Sequence, residues 1–212
     1  CRRRRGVPLF VADVRQMVQS CDNRSPTGVR NALLLICMAL GGAAARHVSA
    51  LDLSRRKETD DSIVFFTDLP RLREFTIGEC GDPVLSVKTW FARWLAIVGD
   101  VSGPLFPGLS KGGAFGTEPM AHSTMNLIVK RIAKKVGVWR PGVTATSLRM
   151  GFVMKAAETV GAAATATAAG YARSNIVTAG FARSSQWARE QRLLNLKRRP
   201  KWRLSSKRSA SS

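Results

Sequence analysis

The sequence predicts a mainly α-helical domain with a small antiparallel β-hairpin or sheet set into it. Three observations carry this. Apolar residues recur at helical spacing through most of residues 8–190. Only two neighbouring stretches, "DSIVFFTDL" and "LREFTIGE", alternate in the manner of strands, with "LPR" between them as a turn. Gly- and Pro-rich punctuation separates the helical blocks. Helices, then strands, then helices again make a mostly α fold with a β insert.

The elements follow in order. "CRRRRG" heads a basic linker over residues 1–7. "LFVADVRQMVQSC" puts Leu9, Val14, Met17 and Val18 near one helical face, with Asp13 in the first turn, where the helix dipole favours an acid. "SPTGVRNALLLICMALGG" reads as a helix opened by Ser25-Pro26 and closed by Gly41-Gly42. It is apolar nearly all round, so it is expected to be the buried central helix. "ARHVSALDL" is a short helix, and "PVLSVKTWFARWLAIVG" a strong one rich in Trp and Phe. "SGPLFPGLSKGGAFGTEPM" reads as loop from its Gly and Pro content. "AHSTMNLIVKRIAKKVGV" is amphipathic, with Met125, Ile128 and Ile132 on one face and Lys130, Arg131, Lys134 and Lys135 elsewhere. "TATSLRMGFVMKAAETVG" is a helix capped by Thr144 or Thr146. "AAATATAAGYARSNIVTAGFAR" is a small-residue helix, a turn and a helix, and residues 191–212 read as a basic, disordered tail.

Composition narrows the partner. The chain has 212 residues and 45% hydrophobic content, enough for one sizeable core. Lys and Arg number 34 against 14 Asp and Glu, a net charge of +20. Such an excess repels itself unless a polyanion neutralises it, and solubility alone rarely requires so much of one sign. Nucleic acid is the expected partner, double-stranded DNA first and structured RNA second. The four cysteines show no metal spacing, and Cys37 inside "ALLLICMAL" reads as a core thiol of a reducing compartment. His47 and His122 are too few and too far apart in sequence to suggest a metal site, and no cofactor is expected. The longest apolar run is shorter than a bilayer span, and the start has no signal-peptide apolar region. The expectation is an intracellular protein without a membrane span, nuclear in a eukaryote and otherwise of the cytoplasm or nucleoid.

Five stretches stand in a familiar order: "VRNALLLICMALGG…SALDLS", "GPLFP", "STMNLIVKRIAKKVGV", "TSLRMGF" and "GYARSNIVTAGFAR". In this the chain resembles the catalytic domain of tyrosine recombinases, the phage-integrase superfamily, over about residues 8–190. The resemblance implies a DNA breaking-rejoining fold and an ancestry in DNA integration and site-specific recombination, as in a mobile-element copy. In that family a tyrosine hydroxyl attacks a phosphodiester, and two arginines clamp the oxygens where charge develops. A lysine on the β-hairpin protonates the leaving oxygen, and a histidine and a His-or-Trp position complete the shell.

Carried over by motif, the second arginine is Arg149 in "TSLRM". Its histidine partner falls on Thr146, which cannot shuttle a proton near neutral pH. The His-or-Trp position falls on Tyr171, the only tyrosine, and the nucleophile position falls on Phe181. The first arginine falls on Ala44, with Arg46 two residues away, and the hairpin lysine has no clear match: Arg71 or Arg73 lies in the right place but is a poor general acid. Lys130, Arg131, Lys134, Lys135, Arg173 and Arg183 are candidate DNA contacts. Trp187 and Leu194, in "QWAREQRLLNL", are candidates for self-association, because the family's C-terminal helix docks on a neighbouring protomer. The constellation is mostly lost, and with it the covalent route. The expected function is a DNA-binding recombinase-type domain with impaired catalysis. A purely regulatory DNA-binding module and an RNA-binding basic domain stand beside it. The plainer alternatives are an Arg149 that pairs with a carboxylate or a helix end, and Tyr171 and Phe181 as core aromatics.

Overall fold

The computed structural model describes residues 6–69, 72–99, 102–110 and 114–168. The expected basic linker lies mostly outside these residues, as does everything beyond residue 168, including the expected tail.

Helix α1 (Val11–Gln19) starts where the Phe10 N–H donates to the Asp13 carboxylate at 3.0 Å. It buries Val14, Met17 and Val18, the face that the periodicity marks. Helix α2 (Pro26–Leu40) is capped by Ser25, whose Oγ accepts the Gly28 N–H at 3.1 Å, with Pro26 in its first turn. Leu33 through Met38 are all fully buried, and α2 packs on α1, α4 (Val87–Val98) and α6 (Ala145–Val160) as the central helix. It ends at Gly41 and Gly42, the latter at φ +64°, where a side chain is strained. A Cβ on Gly41 would lie 2.1 Å from the Phe75 ring, and one on Gly42 2.2 Å from Phe152. The glycine pair thus lets strand β3 (Leu72–Gly78) and helix α6 close on the end of α2.

After the short helix α3 (Ala45–Ser49) and a 3₁₀ turn (Leu53–Arg55) comes a three-stranded antiparallel sheet. Its strands are β1 (Arg56–Glu58), β2 (Ser62–Leu69) and β3 (Leu72–Gly78), in that order. Ile63 pairs with Ile77 and Phe65 with Phe75, and all four side chains are buried. Helix α4 (Val87–Val98) lies against the sheet, with Phe91 edge-on to Phe65 at 6.2 Å. Trp94 of α4 is fully buried, and its Nε1 donates to the Leu105 carbonyl at 2.9 Å.

Three expectations need correction. The sheet has an edge strand, β1, that sequence reading missed: its residues are exposed or half-buried and show no apolar alternation. Helix α4 starts at Val87 rather than near Pro83, because the Ser86 side chain accepts the Thr89 N–H and sets the cap. The stretch read as loop contains a two-stranded antiparallel sheet, β4 (Pro107–Leu109) with β5 (Phe115–Pro119). Arg30 of α2, itself buried, holds that hairpin: its guanidinium lies 5.7 Å from the Phe115 ring centroid and reaches the Pro107 carbonyl at 3.5 Å.

Helix α5 (His122–Lys135) buries Met125, Ile128, Val129, Ile132 and Ala133. Helix α6 (Ala145–Val160) begins after Thr144, whose N–H donates to Ser147 Oγ at 3.0 Å, so Thr144 rather than Thr146 is the cap. Gly151 lets the chain before α1 approach α6: the Leu9 N–H donates to the Ser147 carbonyl at 2.9 Å, and a Cβ on Gly151 would sit 1.8 Å from the Leu9 carbonyl oxygen. Helix α7 (Ala162–Ala168) follows.

Candidate functional site

The first halves of α5 and α6 meet beside α3, and two hydrogen bonds tie this junction. The Ala145 N–H at the start of α6 donates to Asn126 Oδ1 of α5 at 2.9 Å, which satisfies one of the amides a helix start leaves open. Ser49 of α3 donates to the Met120 carbonyl just before α5 at 3.0 Å.

Arg149 stands one turn into α6 and is buried, with 5% of its surface exposed. His47 of α3 is equally buried, at 4%. The Nε of the adjacent Arg46 donates to His47 Nε2 at 3.1 Å. Burial pushes the His47 pKa down from 6.5 to about 4, and the Arg149 and Arg46 charges push in the same direction. The ring is therefore neutral across ordinary pH. Arginine can only donate, so Nε2 accepts and the proton of the neutral ring resides on Nδ1. Among the described residues, Nδ1 is a buried nitrogen with no hydrogen-bond partner.

This arrangement differs from the expected one in a specific way. Ala44, where motif alignment puts the first arginine, is the residue before α3, and its carbonyl accepts the His47 and Val48 amides. Arg46 is exposed and turned onto the imidazole. The group whose pKa both guanidinium charges lower is His47, which sequence reading weighed only as a metal ligand. The signal was present in "RHVSAL": Val48 and Leu51 are buried, so a helical turn carrying them takes the neighbouring histidine inward.

Thr146 lies exposed in the first turn of α6, and Arg73 lies exposed on β3. Arg71, Tyr171, Arg173, Phe181, Arg183, Trp187 and Leu194 lie outside the described residues. Of the four cations on α5, Lys130 and Arg131 are exposed and, among the described residues, in no ion pair. Lys134 lies over the Trp139 ring at 5.0 Å, and Lys135 donates to the Ser20 carbonyl at the end of α1. Lys130, Arg131 and Lys134, together with exposed Leu127, fall at helical i, i+3, i+4 and i+7 spacing opposite the buried face.

A cavity of about 530 Å³ opens elsewhere, between the start of α1, the end of α2, the end of β3 and the second half of α6. Its lining is largely apolar and includes neither His47 nor Arg149. Among the described residues, no group of three His, Cys, Asp or Glu side chains is placed to hold a metal ion, and no helix is long and apolar enough to cross a membrane.

No family model matches the chain, and no curated protein does. Solved structures do. The XerH site-specific recombinase bound to palindromic difH substrate, in a post-cleavage complex, superposes with a TM-score of 0.66 at 16% identity, covering 87% of this chain and 52% of that one. The XerA recombinase gives 0.63 at 14% identity, over 85% and 60%. A lambda integrase dimer bound to a COC' core site gives 0.59 at 15% identity, over 85% and 61%. The chain thus spans only about half to three-fifths of the length of these proteins. Identities this low establish shared architecture. Helices around a small antiparallel sheet, with this chain order, give the protein the fold of a tyrosine-recombinase catalytic domain.

Proposed function

We propose that the chain is a duplex-DNA-binding domain of tyrosine-recombinase type in which strand cleavage is weak or absent. The observation that carries this is a net charge of +20 on this fold. The solved XerH and lambda integrase structures that it resembles are DNA complexes. Lys130 and Arg131, exposed and unpaired among the described residues, are suited to phosphate contact. Buried Arg149 and exposed Arg46 add positive charge around the neutral His47.

The loss of cleavage follows from residue identity. Phe181, where the resemblance puts the nucleophile, has no oxygen to attack phosphorus. Every identical copy of the chain carries the same phenylalanine, so self-association through Trp187 and Leu194 restores nothing. Thr146 stands where a proton-shuttling histidine is expected, and losing one such preorganised group typically costs about 10²–10³ in rate. Phe181, Thr146 and Ala44, altered together, read as a decayed recombinase of mobile-element origin rather than a single change.

The test is duplex affinity against salt. Four or more phosphate contacts give a slope of log affinity against log salt of about −3.6 or steeper. A shallow slope, or structured RNA outcompeting duplex, refutes the reading and favours the RNA-binding alternative.

A further inference from the structure

We propose that Trp139 and the neighbouring cations of α5 bind an unpaired stretch of DNA strand, with a base stacked on the indole and the phosphates on Lys130, Arg131 and Lys134. The proposal goes beyond the duplex-DNA reading above and rests on it only for the choice of DNA over RNA.

The turn after α5 places this tryptophan. Gly137, at φ +76°, reverses the chain in a conformation that a side chain resists. The Val138 and Trp139 N–H groups then both donate to the Ala133 carbonyl at 3.0 Å, which pins the turn to the end of the helix. Val138 packs against the core, while Trp139 keeps 39% of its surface exposed. Trp90 and Trp94 behave in the opposite way: both are buried and give their indole N–H groups to the Val84 and Leu105 carbonyls at 2.9 Å. An indole carries a large apolar surface, and here a firmly held backbone keeps part of it in water.

The surroundings of the ring indicate what covers it. Lys134 Nζ lies 5.0 Å from the ring centroid. Lys130, Arg131 and Lys134 are exposed, within about 6 Å of one another along the helix axis. No Asp or Glu occurs in the sequence between Glu118 and Glu158, so this ridge is cationic without local acids to offset it. An aromatic ring beside several cations suits a strand whose bases are free, because a base stacks while its phosphates pair. A duplex keeps its base faces inside its own stack, so against a duplex the indole would meet only sugar and phosphate. The Lys134 contact with the ring is an exposed cation–π contact, which is weaker than a stacked base. A base arriving on the ring therefore moves the Lys134 ammonium, on its flexible stem, to the adjoining phosphate.

The test uses the full chain and fluorescence anisotropy with three labelled probes: a blunt duplex, the same duplex with a short single-stranded thymidine tail, and the same tail made of abasic nucleotides. The two tails carry the same phosphates and differ only in their bases. The thymidine tail is expected to bind about tenfold more tightly than the abasic tail, from stacking. Both should have the same salt slope, because they release the same counterions. Trp139→Ala is expected to make the two tails equal, and Trp139→Phe to keep a preference of about threefold or more. Blunt-duplex affinity within about twofold across the three chains shows that the variants are folded. Equal binding of the two tails by the unaltered chain, or a preference that survives in Trp139→Ala, overturns the proposal and leaves the duplex reading standing. Should the blunt duplex not bind, the thymidine and abasic strands alone carry the comparison: a preference that depends on Trp139 upholds the site and removes the duplex reading, and no binding removes both. A uridine RNA strand bound about tenfold more tightly than the thymidine strand overturns the assignment to DNA.

Discussion

Acid should destabilise this protein through one imidazole. His47 is 4% exposed, and its pKa falls from the ordinary 6.5 to about 4 through burial and the Arg149 and Arg46 charges. Between those two pH values the unfolded chain binds a proton at this ring and the folded chain does not. Acid therefore favours unfolding across that window. The contribution is fully present above about pH 6.5, declines as pH falls, and is gone below about pH 4. At about 1.4 kcal/mol per pH unit, the gap bounds the effect at about 3 kcal/mol. Carboxylates titrate in the same range, so the comparison needs a partner lacking only this ring. Urea unfolding of the unaltered chain and of His47→Asn, at pH 7 and pH 4.5 in constant salt, isolates it. The unaltered chain should lose about 2 kcal/mol more than the variant between these two pH values. Parallel losses would show that His47 is not held neutral by its surroundings and would refute the cluster as described.

Two other perturbations test the fold and the surface. Gly151→Ala places a methyl 1.8 Å from the Leu9 carbonyl oxygen, a backbone atom that cannot rotate away. It should cost about 3 kcal/mol and lower the thermal midpoint by several degrees, and an unchanged midpoint in differential scanning calorimetry would contradict the α6 packing. Lys130→Ala with Arg131→Ala removes two exposed cations of α5 and should reduce the salt slope of duplex binding by about 2, with the thermal midpoint unmoved. An unchanged slope would show that this face does not meet phosphate.

What the sequence revealed and what it hid follow from how each element is held. Helix α2 was legible because its own residues specify it: Ser25 and Pro26 start it, a nearly all-apolar body buries it, and Gly41-Gly42 stops it. Strands β2 and β3 were legible from Ile63, Phe65, Phe75 and Ile77, whose alternation records one buried face. Strands β1, β4 and β5 carry no such record. Arg56–Glu58 is polar and is a strand only because β2 pairs with it. Phe115–Pro119 is mostly exposed, and its pairing with Pro107–Leu109 depends on Arg30, far away in sequence. The site divides in the same way. Arg149 is marked by its "TSLRM" context, but the environment of His47 comes first from burial and then from a guanidinium a hundred residues away, which no local pattern encodes. Alignment by motif put the first arginine at Ala44, whereas folding puts the imidazole of His47 under the influence of both arginines.

Covalent capture distinguishes a domain that binds duplex with weak or absent cleavage from a working recombinase. The full chain is incubated with a nicked suicide duplex that traps any phosphotyrosyl intermediate, and retention and adduct formation are read on the same sample. Salt-sensitive retention of the duplex and no protein–DNA adduct after denaturation are expected, because Phe181 supplies no hydroxyl. A denaturation-resistant adduct mapped to Tyr171, the only tyrosine in the chain, would contradict it and identify a working nucleophile.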